Sequence, residues 1–211
     1  MILRLLALCL IALLLWIPQL RGPEWGVIVQ RLARSTVPIS CSLHGMHSCT
    51  AFSINQRSKL YLTAYHCTQP FMSDSAEAEV PMLDGQPLAF AFKDESRDLA
   101  ILVGPIARPA LFVRERPLLV GDPVGSYGYG YGMLSPMFRL ANVSVFVKDP
   151  QGLDWMLLDN ALIGGMSGGP IVDSQGRLVG VNARSDYMTG FSLSLKQIQA
   201  VTQFWPDEAQ P

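Results

Sequence analysis

The chain has 211 residues, of which 49% are hydrophobic and 16% are charged, and its formal net charge at neutral pH is -1. This length allows one large domain or two small ones, each with its own core. The chain does not have the excess of basic residues that is typical of a nucleic-acid-binding domain, and we therefore expect no nucleic-acid partner.

Residues 1–22 predict an export signal. Arg4 gives the segment a charged start, and an apolar run follows over residues 5–20. The run is longer than a typical signal h-region, shorter than the ~20 residues that span a bilayer comfortably, and is not closely followed by a small-residue cleavage site. We therefore expect an uncleaved signal anchor, an N-terminal hydrophobic helix that holds the protein at a membrane facing the periplasm or the outside. A cleaved signal and a secreted protein is the alternative.

After this segment the hydrophobic pattern predicts many short strands separated by turn residues, a pattern typical of barrels and sandwiches. The predicted strands are 27–30, 49–54, 60–64, 88–92, 99–103, 118–127, 141–147, 155–158, 170–172, 178–182 and 190–194. Residues 194–205 predict a helix, because one helical face carries Leu195, Ile198, Val201 and Trp205. The Pro-rich stretch 104–117 predicts a connector between two halves.

The stretch "LIGGMSGGP" at 162–170 surrounds Ser167 with glycines, which let backbone N–H groups approach a ligand. A serine hydroxyl is a poor nucleophile at neutral pH and needs a neighbouring base, which itself needs an orienting group. His66 ends an apolar strand in "LYLTAYHC", and Asp98 precedes another in "SRDLAILV". A carboxylate buried against the imidazole Nδ1–H would fix its tautomer. Asp94 and Glu95 compete as the acid, but neither directly precedes the strand.

The blocks "TAYHC", "DLAIL" and "GGMSGGP" resemble, in order and context, the three catalytic blocks of chymotrypsin-fold, trypsin-like serine endopeptidases. Segments 118–132, 157–183 and 190–198 resemble the HtrA-like branch more closely. The resemblance implies an all-β fold of two antiparallel six-stranded barrels, one in residues 23–112 with His66 and Asp98 and one in 113–205 with Ser167. A short C-terminal helix and a tail at 206–211 complete this expectation, and no PDZ domain is expected.

The same resemblance implies roles for the site residues. Ser167 matches the nucleophile, His66 the general base and acid, and Asp98 the orienting acid, while the backbone N–H groups of Gly165 and Ser167 match the oxyanion hole. We expect hydrolysis of polypeptides through an acyl-enzyme, without a cofactor. A catalytically inactive peptide-binding module is the alternative. Because trimers are common among HtrA-like relatives, a homo-oligomer stays open.

Two departures from trypsin-like enzymes bear on activation and specificity. Met166 precedes the serine where digestive relatives carry an aspartate, so activation by N-terminal cleavage is not expected. Ala161 lies six positions before the serine, where trypsin-like enzymes hold the acid that selects Lys or Arg. This predicts a small, apolar S1 pocket for small or aliphatic P1 residues, which Arg184 or Asp186 could alter. The predicted substrate-binding residues are Ala161, Ile163, Val181, Asn182 and Ala183.

The cysteines after the signal segment allow more than one arrangement, since export favours disulfides. The resemblance implies a Cys49–Cys67 bridge beside the catalytic histidine, which leaves Cys41 free, but a Cys41–Cys49 pair stays open. Cys41, His44, His47 and Cys49 also form an N2S2 set that could bind zinc in a small metal-stabilised domain. Their spacing is tighter than in common zinc motifs, and we expect no metal site.

Overall fold

The structure, a computed structural model, describes residues 23–40, 48–69, 81–133, 135–185, 188–199 and 201–204. The predicted signal anchor and the predicted C-terminal tail lie outside these ranges. Within them, the helices are too short or too polar to cross a membrane.

The first half of the described chain forms a seven-stranded antiparallel sheet. Its strands, in spatial order β5-β4-β1-β2-β3-β7-β6, are β1 (Thr36–Ser40), β2 (Ser48–Asn55), β3 (Leu60–Ala64), β4 (Met82–Leu83), β5 (Gln86–Pro87), β6 (Ala89–Asp94) and β7 (Leu99–Val103). The resemblance predicts a closed six-stranded barrel here. Instead, the described strands leave β5 and β6 as edges, and the sheet is a curled half-barrel.

The second half closes into the expected six-stranded antiparallel barrel, in the order β10-β13-β12-β11-β8-β9. Its strands are β8 (Pro123–Gly128), β9 (Met137–Lys148), β10 (Asp154–Leu158), β11 (Pro170–Asp173), β12 (Leu178–Ser185) and β13 (Gly190–Ser194). The all-β, chymotrypsin-like fold class is therefore confirmed.

The predicted strand at 27–30 is wrong, because these residues lie in helix α1 (Trp25–Ser35). Ile28, Leu32 and Ser35 are buried at spacings of one helical turn, and they dock the helix on the core. A four-residue apolar run cannot by itself distinguish a strand from one face of a helix. Strand β1 follows α1 directly and was not predicted.

The C-terminal helix is shorter than predicted. Helix α2 covers Leu195–Gln199, and a 3₁₀ turn covers Thr202–Phe204. Leu195, Ile198 and Val201 are buried, as the predicted apolar face requires, while Trp205 lies outside the described residues.

One hydrophobic cluster joins the two sheets. Phe52 and Leu62 from the first sheet share it with Val181 and Leu193 from the second, and α1 contributes Leu32. Since these side chains are buried, the packing fixes how the residues on facing edges of the two sheets meet.

The two sheets approach closely at Gly168, whose φ is +79°. A β-carbon there would overlap Thr63 Oγ1 and the carbonyl oxygen of Thr50, both on the first sheet. We expect Gly168→Ala to lower the free energy of unfolding by on the order of 4 kcal/mol, because the backbone cannot yield without separating the sheets. Chemical denaturation measures this loss.

Gly152→Ala is the matched control, because Gly152 has φ +82° but open space around its α-carbon. It carries only the left-handed backbone penalty of about 1–2 kcal/mol. Equal losses in the two variants would contradict the contact between the sheets.

Carboxylates near the β9–β10 hairpin predict loss of stability in acid. A hydrogen bond from Trp155 Nε1, 2.9 Å long, is the main cause that lowers the pKa of Asp149, and one from Lys196 does the same for Asp154. The Asn142 N–H lowers the pKa of Asp159. A carboxyl group with a lowered folded-state pKa stabilises the fold above its unfolded pKa, and this contribution disappears as the pH falls through the folded-state value.

We therefore expect the urea midpoint to fall between about pH 5 and about pH 3. Asp149→Asn is expected to lower the midpoint at the higher pH and to change it less at the lower one. A wild-type midpoint that stays constant over this interval would contradict the assignment.

Candidate active site

A short turn carries His66 at the end of β3. The 3₁₀ turn Tyr65–Thr68 follows Ala64, and a disulfide between Cys67 and Cys49 ties the turn to β2, with the two α-carbons 5.8 Å apart. A bridge over a loop of this length stabilises by about 3 kcal/mol in the chain-entropy model. The disulfide thus fixes the position of the turn, while the His66 side chain remains 46% exposed to solvent.

The structure brings Asp98 onto His66. The Asp98 carboxylate oxygens lie 3.0 and 2.9 Å from His66 Nδ1, and Oδ1 also accepts the His66 backbone N–H at 2.9 Å. An ionised carboxylate has no proton to give, so Nδ1 donates, and in the neutral imidazole this leaves the lone pair on Nε2. The Asp98 side chain is 24% exposed, partly rather than fully buried. Its φ of +53° lies in the left-handed region, which Asp tolerates better than most residues.

The competing acid Asp94 has other partners. Its carboxylate accepts hydrogen bonds from the Ser96 hydroxyl and from the Arg97 guanidinium. Burial alone would raise the pKa of Asp94, but these hydrogen bonds outweigh it and hold the pKa below its usual value. Glu95 is exposed, and its backbone carbonyl accepts the Asp98 N–H at 3.1 Å.

Ser167 is half-buried in the loop between β10 and β11. Its carbonyl oxygen lies 3.5 Å from Cys67 Sγ, and the same sulfur lies 3.7 Å from His66 Nε2, so Ser167 and His66 share a neighbour. The Ser167 hydroxyl donates to the carbonyl of Ala183 at 2.9 Å. Within the described ranges it makes no hydrogen bond to His66. The register of β12 shifts at Ala183, which removes this residue from the ladder with β13.

Residues 164–167, the predicted oxyanion segment, carry the N–H groups of Gly165 and Ser167 that are expected to form an oxyanion hole. The Gly164 carbonyl accepts the Tyr131 N–H at 2.7 Å, and because the peptide is trans, the Gly165 N–H points the opposite way. Gly165 has φ +97°, which suits glycine. Among partners in the described part of the chain, neither the Gly165 nor the Ser167 N–H donates a hydrogen bond. Such donors can receive a developing negative charge.

The predicted substrate-binding residues differ in placement. Val181 is fully buried in the core, and the buried Asn182 side chain accepts the Ser126 hydroxyl at 2.9 Å. Ala183 is also buried. Ala161 and Ile163 are half-buried beside the oxyanion segment.

The segment that carries Ala161 lies in direct contact with Gly190, the first residue of β13. A β-carbon at Gly190 would lie 2.7 Å from the Asn160 carbonyl oxygen and 3.0 Å from Leu162 Cγ. The Arg184 guanidinium lies over the Trp155 and Phe191 rings, 4.7 and 5.3 Å from their centroids. Asp186 lies outside the described residues. The 160–162 and 190 segments therefore leave little depth between them.

Tyr127 and Tyr129 belong to the stretch of chain whose Tyr129 N–H bonds the Thr50 hydroxyl. Burial raises the pKa of Tyr127 to about 12 and also raises the pKa of Tyr129. Both phenols therefore keep their protons at neutral pH and do not compete with His66 as a base.

A metal does not fit the sulfur and imidazole groups near the site. Cys49, His66 and Cys67 lie within 4.8 Å of one another, but the two sulfurs form a disulfide and cannot ligate as thiolates. The bridge also takes Cys49 from the alternative Cys41–Cys49 pair and from the zinc set. The other members of that set, Cys41, His44 and His47, lie outside the described residues.

Thr50 and Tyr131 contact the oxyanion segment and were not singled out from the sequence. The Thr50 hydroxyl donates to the Gly165 carbonyl at 2.9 Å, across 115 positions of the chain. Tyr131 acts through its backbone N–H, which any non-proline residue provides. Neither role has a local sequence signal, because both arise from tertiary contacts.

Comparison with known proteins agrees with this architecture. Solved protease structures share the fold. The Rv3671c protease from M. tuberculosis in its active form is 22% identical, with a TM-score of 0.69, covering 85% of this chain and 86% of that one. The HtrA-type protease AlgW with a tripeptide is 23% identical, with a TM-score of 0.69, covering 86% of this chain and 63% of that one.

The third structure is a serine endoprotease from Yersinia pestis, 20% identical with a TM-score of 0.68, covering 87% of this chain and 66% of that one. No curated protein matches by sequence. The family model of the trypsin-like peptidase domain matches residues 49–181, more than half of the chain. The matched residues include His66, Asp98 and Ser167. This protein is a serine endopeptidase of the trypsin-like peptidase family, with the fold of the HtrA-type proteases.

Proposed function

We propose that Ser167, His66 and Asp98 form a catalytic triad that cleaves polypeptides through an acyl-enzyme. The observation that carries this proposal is the Asp98 carboxylate on His66 Nδ1, with oxygens 3.0 and 2.9 Å away. A carboxylate in this position holds the imidazole in the tautomer that accepts a serine proton and stabilises the imidazolium that forms.

In the proposed reaction, the Ser167 hydroxyl leaves the Ala183 carbonyl and turns to His66 Nε2. The serine oxygen attacks the scissile carbonyl carbon while Nε2 takes the hydroxyl proton. The new oxyanion accepts hydrogen bonds from the Gly165 and Ser167 N–H groups. Collapse breaks the peptide bond, and the leaving amine takes the proton from Nε2. Water then gives a proton to Nε2 and attacks the ester carbonyl carbon. Collapse breaks the ester bond and releases the acid, while Nε2 returns the proton to the serine oxygen and restores the hydroxyl. One such oxyanion donor contributes about 3 kcal/mol to transition-state stabilisation.

A catalytically inactive peptide-binding module is the second candidate. The hydrogen bond from the Ser167 hydroxyl to Ala183, rather than to His66, favours it. However, hydrogen bonds between catalytic groups are often long or absent without substrate and form in the substrate complex. Incubation of the purified chain with an unstructured polypeptide such as casein separates the two candidates. We expect new peptide termini that accumulate with time; binding without cleavage would favour the module.

We also propose that the enzyme prefers small or aliphatic P1 residues. The close contact between Leu162 and Gly190 supports a shallow pocket, and Ala161 supplies no charge to pair with a basic side chain. Burying an unpaired ammonium group is costly, so we expect kcat/KM for Ala or Val at P1 to exceed that for Lys by about 100-fold or more. A peptide library read by mass spectrometry gives this profile.

Ala161→Asp tests the position of the pocket within the same library. We expect this variant to gain cleavage after Lys and Arg relative to the wild type. Preferential wild-type cleavage after Lys or Arg would contradict the assignment of Ala161 to the S1 pocket.

A further inference from the structure

Thr50 connects the first sheet to the segment that carries the oxyanion N–H groups. It lies on β2 directly after Cys49, and its side chain is fully buried. Its hydroxyl donates to the Gly165 carbonyl at 2.9 Å, and its N–H donates to the Ser167 carbonyl at 2.8 Å. One residue of the first sheet thus holds both ends of the 165–167 segment.

The Thr50 hydroxyl is itself fixed by a second loop. It accepts the Tyr129 N–H at 2.9 Å, and a hydroxyl can donate one bond while accepting another. A β-carbon at Gly128 would lie 2.8 Å from Thr50 Oγ1, so glycine at this position leaves room for the approach. The hydroxyl therefore has one orientation, in which its O–H bond points at the Gly165 carbonyl oxygen.

This hydrogen bond acts on the peptide plane between Gly165 and Met166, which links the two planes that carry the oxyanion N–H groups. Gly165 lies between two peptide planes: Tyr131 holds the Gly164 carbonyl of the first at 2.7 Å, and Thr50 holds the Gly165 carbonyl of the second. Glycine at φ +97° has little intrinsic preference that would keep either plane in place. Without the Thr50 hydroxyl, the second plane retains the Met166 N–H bond to the Ile163 carbonyl, 2.9 Å long, and the oxyanion segment gains freedom to rotate.

We propose that Thr50 is a positioning residue for the oxyanion hole, acting through the Gly165 carbonyl and touching no substrate atom. The inference rests on the proposed triad and oxyanion hole. It assigns to the first sheet a role in transition-state stabilisation as well as in carrying His66 and Asp98. Preorganised donors stabilise the developing charge because they need no reorganisation during the reaction.

Thr50→Val tests the proposal, because valine has nearly the shape of threonine but lacks the hydroxyl. Thr50→Ser is the matched control, because it keeps the hydroxyl. We expect Thr50→Val to lower kcat by about 10- to 100-fold, less than the loss of an oxyanion donor itself, with KM changed by less than about twofold. Thr50→Ser is expected to stay within about threefold of wild type in kcat.

A second measurement separates positioning from general damage to the fold. A peptide aldehyde adds to the serine hydroxyl and directs its former carbonyl oxygen into the hole, whereas the amine-side product peptide, which begins after the cleaved bond, binds without that oxygen. We expect the affinity of the aldehyde to fall in proportion to kcat/KM in Thr50→Val, and the affinity of the product peptide to stay unchanged. Rates are divided by the concentration of active sites, obtained by titration with a fluorophosphonate. If Thr50→Val does not fold, Thr50→Ala replaces it in the same measurements.

A hydroxyl-free variant with wild-type kcat per active site and wild-type aldehyde affinity would overturn the proposal. Equal losses of aldehyde and product-peptide affinity would also overturn it, because they would indicate a distorted substrate site. Both outcomes leave the wild-type enzyme active and dependent on Ser167. A wild-type protein without turnover would instead overturn the proposed function, and this inference with it.

Discussion

Ser167→Ala is expected to lower kcat for peptide hydrolysis by about 10⁵- to 10⁶-fold. The variant removes the atom that forms the acyl-enzyme, and no other hydroxyl replaces it. Among the residues that the structure describes, the Ser167 hydroxyl has one hydrogen bond, to the Ala183 carbonyl, so its removal should leave the fold intact. Initial rates on a library-selected peptide, together with the thermal unfolding midpoint, measure both effects.

Ser144→Ala is the matched control, because it removes a serine hydroxyl outside the candidate active site. Ser144 is exposed on β9, away from the His66 turn, and we expect wild-type kinetics. If Ser167→Ala kept more than about one hundredth of the wild-type kcat, Ser167 would not be the nucleophile.

Asp98→Asn is expected to lower kcat by about 10⁴-fold with little loss of stability. An amide can offer its N–H₂ group to Nδ1, which favours the tautomer with the proton on Nε2, and that tautomer cannot accept the serine proton. Asn tolerates the left-handed backbone as Asp does, so φ +53° remains accessible. The variant therefore changes the charge and the hydrogen-bond direction while keeping the shape.

Asp94→Asn is the matched control in the same turn. The Asp94 carboxylate bonds Ser96 and Arg97 rather than His66, and we expect its kcat to stay within about threefold of wild type while stability falls. If Asp94→Asn lost as much kcat as Asp98→Asn, the acid assignment would be wrong.

The sequence was sufficient to predict most of the strands and the all-β fold, because alternating and β-branched runs are separated by clear turn residues. It was insufficient at residues 27–30, where a short apolar run lies on one face of α1. It also did not predict that β5 and β6 form the two edges of the sheet among the described strands. Two-residue strands such as β4 and β5 are too short to give a periodic signal.

The candidate site divides in a similar way. His66, Asp98 and Ser167 each lie in a recognisable block, and the structure brings the first two into hydrogen-bond contact. Thr50 could not be found this way, since its partners are backbone groups on distant loops and any sequence can supply such groups. Val181 and Asn182 lie on the expected strand, yet both side chains are buried. How deeply a strand residue is buried depends on tertiary packing, which the strand pattern does not encode.

Mapping the site of covalent modification by a fluorophosphonate tests the central claim most directly. Such a probe phosphonylates a serine that a neighbouring base activates and leaves ordinary serines unmodified. We predict a single adduct on Ser167 of the folded wild-type chain, identified by peptide mass spectrometry, and no adduct in His66→Ala, which keeps the serine but lacks the base. An adduct on another residue, or equal labelling of Ser167 with and without the imidazole, would contradict the proposed triad.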